Sequence, residues 1–195
     1  MRKGHLSVKY TNSKGMVYYL HRGKTKTGKE RCYFSMKNEG SLCTSIPGGY
    51  EIYEHPNAQV FLRKIPKKII LDEEIAIVED GVRKYSILKA YKIDVRKNVI
   101  QIYTPDQDVD ALENILSRIS PFPAITKKTI NDVVNYSPDM QFVLIDKEKR
   151  IFVAQRYCYL GRIDDWINIG GPDSLDALTG QYVKHLGKES FFDIH

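Results

Sequence analysis

The sequence predicts an α+β protein, made mainly of antiparallel hairpins with about four helices packed on the sheet or sheets. Three observations predict it. Strand-like runs rich in aromatic and β-branched residues come in pairs separated by short polar turns, where a doubly wound protein would show single strands between helices. Apolar residues recur at helical spacing only beyond residue 71. No heptad run, low-complexity tract or fixed-period repeat interrupts this pattern.

The elements follow in chain order. Val17-Tyr18-Tyr19-Leu20-His21 and Cys32-Tyr33-Phe34-Ser35 flank a polar stretch containing Thr27-Gly28-Lys29 and read as a first hairpin. Ile46-Pro47-Gly48-Gly49 marks a turn, and Tyr50-Glu51-Ile52-Tyr53 with Gln59-Val60-Phe61-Leu62 makes a second hairpin around His55-Pro56-Asn57. Pro66-Lys67-Lys68 is a connector. Asp72-Glu73-Glu74 then opens a helix whose apolar stripe is Ile75, Val78, Val82 and Tyr85, with Arg83 and Lys84 in its last turn, where cations suit the helix dipole.

Residues 90–95 and 99–103 form a third hairpin around Arg96-Lys97-Asn98. A helix over residues 110–119 places Leu112, Ile115, Leu116 and Ile119 on one face and stops at Ser120-Pro121. A short helix around residues 127–136 carries Ile130, Val133 and Val134. The fourth hairpin, residues 141–158, turns at Lys147-Glu148-Lys149 and is apolar on both faces, which places it centrally in a sheet. Pro172-Asp173-Ser174 caps a last helix with Leu175, Leu178, Tyr182 and Leu186 on one face, ended by Gly187. Leu112, Ile115, Leu116, Ile119, Phe142, Leu144, Leu175 and Leu178 are the expected core.

The chain has 195 residues, 42% hydrophobic and 28% charged, enough to bury a core without staples. Its longest apolar runs, such as Phe142-Val143-Leu144-Ile145, are far short of the roughly 20 residues that cross a bilayer. Met1-Arg2-Lys3-Gly4-His5 has no apolar stretch behind it, so no secretory signal is expected. Cys32, Cys43 and Cys158, odd in number and widely spaced, make no disulfide framework, and a reducing cytoplasm is the expected location.

Charge is unevenly distributed. Residues 1–71 hold 14 Lys and Arg against 4 Asp and Glu, and residues 72–195 hold 16 against 20. Charge and periodicity both change near residues 66–71, predicting a basic β-rich N-terminal subdomain over residues 1–70 and an α/β C-terminal subdomain over residues 71–195. A basic segment suggests a polyanionic partner.

Gly23-Lys24-Thr25-Lys26-Thr27-Gly28-Lys29-Glu30 has the glycines and lysine of a phosphate-binding loop. It lacks the hydroxyl that would follow the lysine, and Arg31-Cys32-Tyr33-Phe34 reads as a strand where the motif needs a helix. The better reading is a basic hairpin tip: Arg22, Lys24, Lys26, Lys29 and Arg31 neutralise phosphates while Tyr33 offers a stacking face. These six residues are the expected nucleic-acid-binding set. Asp164-Asp165-Trp166, with His185 and Glu189 downstream, reads as a polar turn with an anchoring Trp, because adjacent aspartates diverge and no metal-ligand spacing accompanies them. Gly170-Gly171-Pro172 reads as a further turn.

No catalytic motif, cofactor or metal is indicated. The expected function is a non-sequence-specific nucleic-acid-binding or nucleic-acid-associated accessory protein, since no recognition helix or zinc-finger spacing is present. The alternative is a protein-protein interaction module, an adaptor or complex subunit, whose basic patch meets an acidic partner. A third reading is an enzyme whose site gathers distant residues such as His21, Asp164 and His185.

Overall fold

The computed structural model describes residues 7–119, 122, 128–130, 132–160 and 163–194. It is α+β, and its contacts divide the chain into two compact units, residues 1–66 and residues 67–195.

The first unit is built of short strands. β1 (Lys9–Thr11), β2 (Val17–Lys24) and β3 (Glu30–Ser35) form an antiparallel sheet in the order β1-β2-β3, and β4 (Tyr50–Glu54) pairs with β5 (Val60–Lys64). Beyond β1, residues 41–43 run along the same edge of β2: Arg22 N–H donates to Ser41 O at 2.8 Å and Cys43 N–H to Leu20 O at 2.8 Å. Leu20 is fully buried beneath them. Buried Asn12 holds two turns together, donating through Nδ2 to Ala58 O at 2.7 Å and accepting at Oδ1 from Met16 N–H at 2.7 Å. An Asn suits this place because its amide satisfies one donor and one acceptor that the turns leave open.

The second unit contains α1 (Asp72–Tyr85), β6 (Lys92–Arg96), β7 (Val99–Pro105), α2 (Val109–Ile119), β8 (Tyr136–Asp146), β9 (Ile151–Leu160), β10 (Ile163–Ser174) and α3 (Leu175–Tyr182). Its five strands are antiparallel in the order β10-β9-β8-β7-β6, so the hairpin of β8 and β9 lies inside the sheet. Strand alternation divides the side chains between two faces. On one face Ile100, Ile102, Met140, Phe142, Leu144, Phe152 and Ala154 are buried in one cluster with Val78 and Val82 of α1 and Leu175 and Leu178 of α3. On the other, paired amides form a ladder across four strands: Gln101 donates to Gln141 at 2.9 Å, Gln141 to Gln155 at 2.6 Å and Gln155 to Asn168 at 2.8 Å.

The N-terminus of α1 is fixed by one acidic side chain. Glu74 accepts from the Leu71 N–H at 2.8 Å, and Arg150, from the turn after β8, donates to both Glu74 oxygens. With Glu74 buried, this two-point ion pair ties the start of the helix to the sheet.

Several expectations are corrected, among them the end of the last helix, which stops at Tyr182 so that Leu186 and Gly187 lie beyond it. Only Leu112 and Leu116 of the α2 stripe are half-buried, while Ile115 is 54% and Ile119 75% exposed. The apolar surface under α2 is a small cluster of Tyr103, Ile130, Val134 and Tyr136, too narrow to cover the whole stripe. The segment from Asp164 to Pro172 is the interior of β10, not turns; register shifts at Asn168/Gly170 and Gly170/Asp173 absorb its glycines. Of the short helix expected at residues 127–136, residues 128–130 and 132–133 are helical, residues 127 and 131 lie outside the described residues, and Tyr136 already belongs to β8. Val133 is exposed, whereas Ile130 and Val134 are buried. The Ser120-Pro121 stop and Met1 to His5 also lie outside the described residues.

Candidate nucleic-acid interface

Pairing of β2 with β3 decides where each basic residue points. His21 is opposite Tyr33, Arg22 opposite Cys32, Gly23 opposite Arg31 and Lys24 opposite Glu30. Residues directly opposite share a face of the ribbon, and neighbours along a strand alternate. Arg22 and Lys24 therefore occupy one face, and Arg31 and Tyr33 the other. The six expected residues form a two-faced ribbon with Lys26 and Lys29 at its tip.

The tip is held by its own backbone. Thr25 N–H donates to Lys29 O at 2.8 Å and Gly28 N–H to Thr25 O at 2.9 Å, while Thr25 Oγ1 accepts from Lys29 N–H at 3.1 Å. No helix follows, so Gly23 to Glu30 is a strand, a turn and a strand, which the phosphate-binding loop of nucleotide hydrolases is not.

Tyr33 is engaged within the ribbon. Its ring stacks on His21 with centroids 5.5 Å apart, and the Arg31 guanidinium lies 5.1 Å from its centroid. The ring also covers Gly23, where a Cβ would come within 3.0 Å of Tyr33 Cε1, so a larger residue would displace the tyrosine. His21, buried, donates through Nε2 to Lys37 O at 2.8 Å. Tyr33 is 38% exposed, so part of its ring remains open to solvent beside these contacts.

The ribbon is dense in positive charge. Arg22, Lys24, Lys26, Lys29 and Arg31 are all exposed, with Glu30 the only acid among residues 22–31. None of the five cations forms an ion pair among the described residues. The same is true of exposed Lys64, Lys67, Lys147 and Lys149, whereas Arg63, Lys68, Arg83, Lys89, Arg96 and Arg150 pair with Glu51, Asp72, Asp80, Asp110, Asp94 and Glu74; what sets the ribbon apart is five such cations within ten residues.

Two features were not foreseen from the sequence. Residues 41–43 bring the Cys43 Sγ to 3.7 Å from that of Cys32, although the two are eleven positions apart. Burial, then the hydrogen bond to Cys43, push the Cys32 thiol above its usual range. In the second unit, Thr104 and Asp139 hydrogen-bond in the wall of a cleft of about 610 Å³. Burial raises the Asp139 carboxyl, the Thr104 hydroxyl opposes that shift, and nearby Asp106 adds to it. A signal was present: Thr104-Pro105-Asp106 and Ser137-Pro138-Asp139 repeat one pattern, and the register sets Thr104 against Ser137.

The remaining candidates in the second unit have local partners. Asp164 and Asp165 are exposed on β10, Tyr157 donates to Asp164, and the Tyr157 and Trp166 rings meet edge to face at 5.3 Å. His185 Nδ1 lies 3.0 Å from Ser190 Oγ. Among the described residues no three His, Cys, Asp or Glu side chains gather as metal ligands, and no helix is long and apolar enough to cross a membrane. No protein-family model, curated protein or solved structure matches the chain significantly.

Proposed function

We propose that the β2–β3 ribbon binds the phosphate backbone of nucleic acid without sequence specificity, as part of a cytoplasmic nucleic-acid-associated accessory protein. One observation carries this reading: five exposed cations on one hairpin, none offset by an ion pair among the described residues. Such a concentration of like charge is self-repelling, and phosphates relieve it as the lysines and arginines release the cations condensed on the nucleic acid.

The two-faced arrangement favours one kind of target. A flat stacking platform would gather all the cations on the side of the aromatic ring, but only Arg31 shares a face with Tyr33, and Arg22 and Lys24 face away from both. Phosphates on both sides match this ribbon, as in a duplex groove wide enough for a two-stranded β-element. The more acidic second unit, in which Val78 and Val82 of α1 and Leu175 and Leu178 of α3 share a buried cluster with strand residues, then serves as the scaffold.

Binding to duplex and single-stranded oligonucleotides of mixed sequence, titrated against salt, tests the reading. Affinity is expected to fall steeply as salt rises, and changing Lys24, Lys26 and Lys29 together to Glu should weaken binding across sequences and flatten the salt slope. Tyr33→Ala should weaken binding with little change in slope, because its ring carries no charge. Absence of salt-sensitive binding to any of these at low ionic strength overturns the proposal and leaves the acidic protein partner as the reading of the patch.

A further inference from the structure

The cleft beside Asp139 lies wholly in the second unit and plays no part in the basic ribbon. Its volume, about 610 Å³, is in the range of small-molecule sites. Its walls join two kinds of surface. Ile87, 59% exposed, and Phe192, 66% exposed, are large apolar side chains turned to solvent within the concavity, and Phe192 meets buried Phe191 edge to face at 5.7 Å. Opposite chemistry comes from carboxylates. Asp108 is occupied, accepting from Ala111 N–H at 3.0 Å at the start of α2, and Asp110 pairs with Lys89 at 2.7 Å. Asp106 and Asp139 remain without an ion pair among the described residues; the lining cation Lys188 likewise has none and stands beside Glu189.

We propose that this cleft binds a small organic ammonium ion, its charged head between Asp106 and Asp139 and its apolar arm against Ile87 and Phe192. Each part of the ligand answers one feature of the wall. A positive head relieves the repulsion between the two carboxylates. An apolar arm removes Ile87 and Phe192 from water. A bare metal ion would use the carboxylates alone, and no three ligating side chains gather among the described residues. The raised Asp139 carboxyl adds a signature: a bound cation favours its ionised form, so binding releases protons wherever that carboxyl is part-protonated in the free protein.

Calorimetry with n-butylammonium chloride at fixed ionic strength is the experiment, with sodium butyrate, magnesium chloride and potassium chloride as matched probes. Saturable one-to-one binding of butylammonium alone is expected, with a proton-release component that grows as pH is lowered into the range where the Asp139 carboxyl titrates and depends on buffer ionisation enthalpy. Asp106→Asn should weaken binding about tenfold, the effect of one lost charge-assisted contact, and Phe192→Ala about fivefold. Both side chains are exposed, so unchanged thermal unfolding of the two variants separates lost binding from lost folding. No saturable binding, equal binding of butyrate, binding of magnesium in place of butylammonium, or variants that bind like the unaltered protein would each overturn the proposal. None of these outcomes bears on the salt-dependent nucleic-acid binding of the ribbon.

Discussion

Cys32 and Thr179 show how single side chains respond to what surrounds them. Cys32 is half-buried, with its sulfur 3.7 Å from that of Cys43, and both burial and that contact favour the neutral thiol. Since only the thiolate is nucleophilic, iodoacetamide should modify Cys32 more slowly at pH 7 than it modifies a cysteine in an unstructured peptide. The rate should go on rising at alkaline pH after the peptide has reached its plateau. Cys43→Ala removes the second cause and leaves the first, so labelling should quicken without reaching the peptide's rate; labelling that begins at peptide speed would show the sulfur to be solvated. Thr179 presents the opposite problem. Its hydroxyl is buried and has no hydrogen-bond partner among the described residues. Thr179→Val keeps the shape and removes the unsatisfied group, so it should stabilise the protein by about 1 kcal/mol in denaturant unfolding. A loss of stability would reveal a partner for the hydroxyl, such as an ordered water.

Helices α1, α2 and α3 have similar apolar spacing in the sequence but different surroundings. Leu178 of α3 is 2% exposed within the large cluster, whereas Leu116 of α2 is only half-buried against the small one. Leu178→Ala should therefore cost about 2 to 5 kcal/mol and Leu116→Ala clearly less, because a truncation at a partly solvated site leaves little cavity. Equal losses in urea unfolding would contradict this burial pattern. Gly81 of α1 faces Thr179 of α3 so closely that an added Cβ would lie 2.1 Å from Thr179 Cγ2. Gly81→Ala gains helix propensity yet should still destabilise, since the buried Thr179 side chain must move from its packed position to admit the methyl group.

This contrast also marks what the sequence could convey about the elements. The ranges of α1 and of the hairpins formed by β2 and β3 and by β4 and β5 are legible because local signals agree: acidic residues at a helix start, polar turns between aromatic runs. Periodicity shows which residues of α2 share a face but not how much surface lies beneath that face, so Ile115 and Ile119 were expected inside. β10 was hidden because Gly170-Gly171-Pro172 has the composition of a turn, and only pairing with β9 shows that these residues sit at register shifts within a strand. The basic residues of the ribbon were all legible, but their division between two faces depends on the register. Cys32 with Cys43, and Thr104 with Asp139, meet only through tertiary pairing.

Across the whole chain, charge and architecture change over the same few residues. The first unit is made of strands and carries the basic excess, and the second holds α1, α2 and α3 and an excess of acids. Residues 64–68 between them are exposed, residues 65–69 lie outside helix and strand, and Lys67 and Lys68 offer adjacent tryptic sites. Proteases need an extended, mobile backbone of several residues, which an exposed connector supplies and a helix anchored at its first turn does not. Just beyond, Ile70 is buried and the start of α1 is locked by the pairing of Glu74 with Arg150. If residues 1–70 and 71–195 are separate subdomains, limited trypsin should cut first after Lys67 or Lys68 and leave two resistant fragments. Arg83 and Lys84 are exposed within α1 and serve as internal controls, because their bonds become cleavable only when the helix opens. Early cleavage there, ahead of the connector, would show that α1 is less stable than its anchoring implies and that the boundary lies elsewhere. Glu74→Ala should shift cleavage in that direction, since it leaves Arg150 without its carboxylate and frees the first turn of the helix.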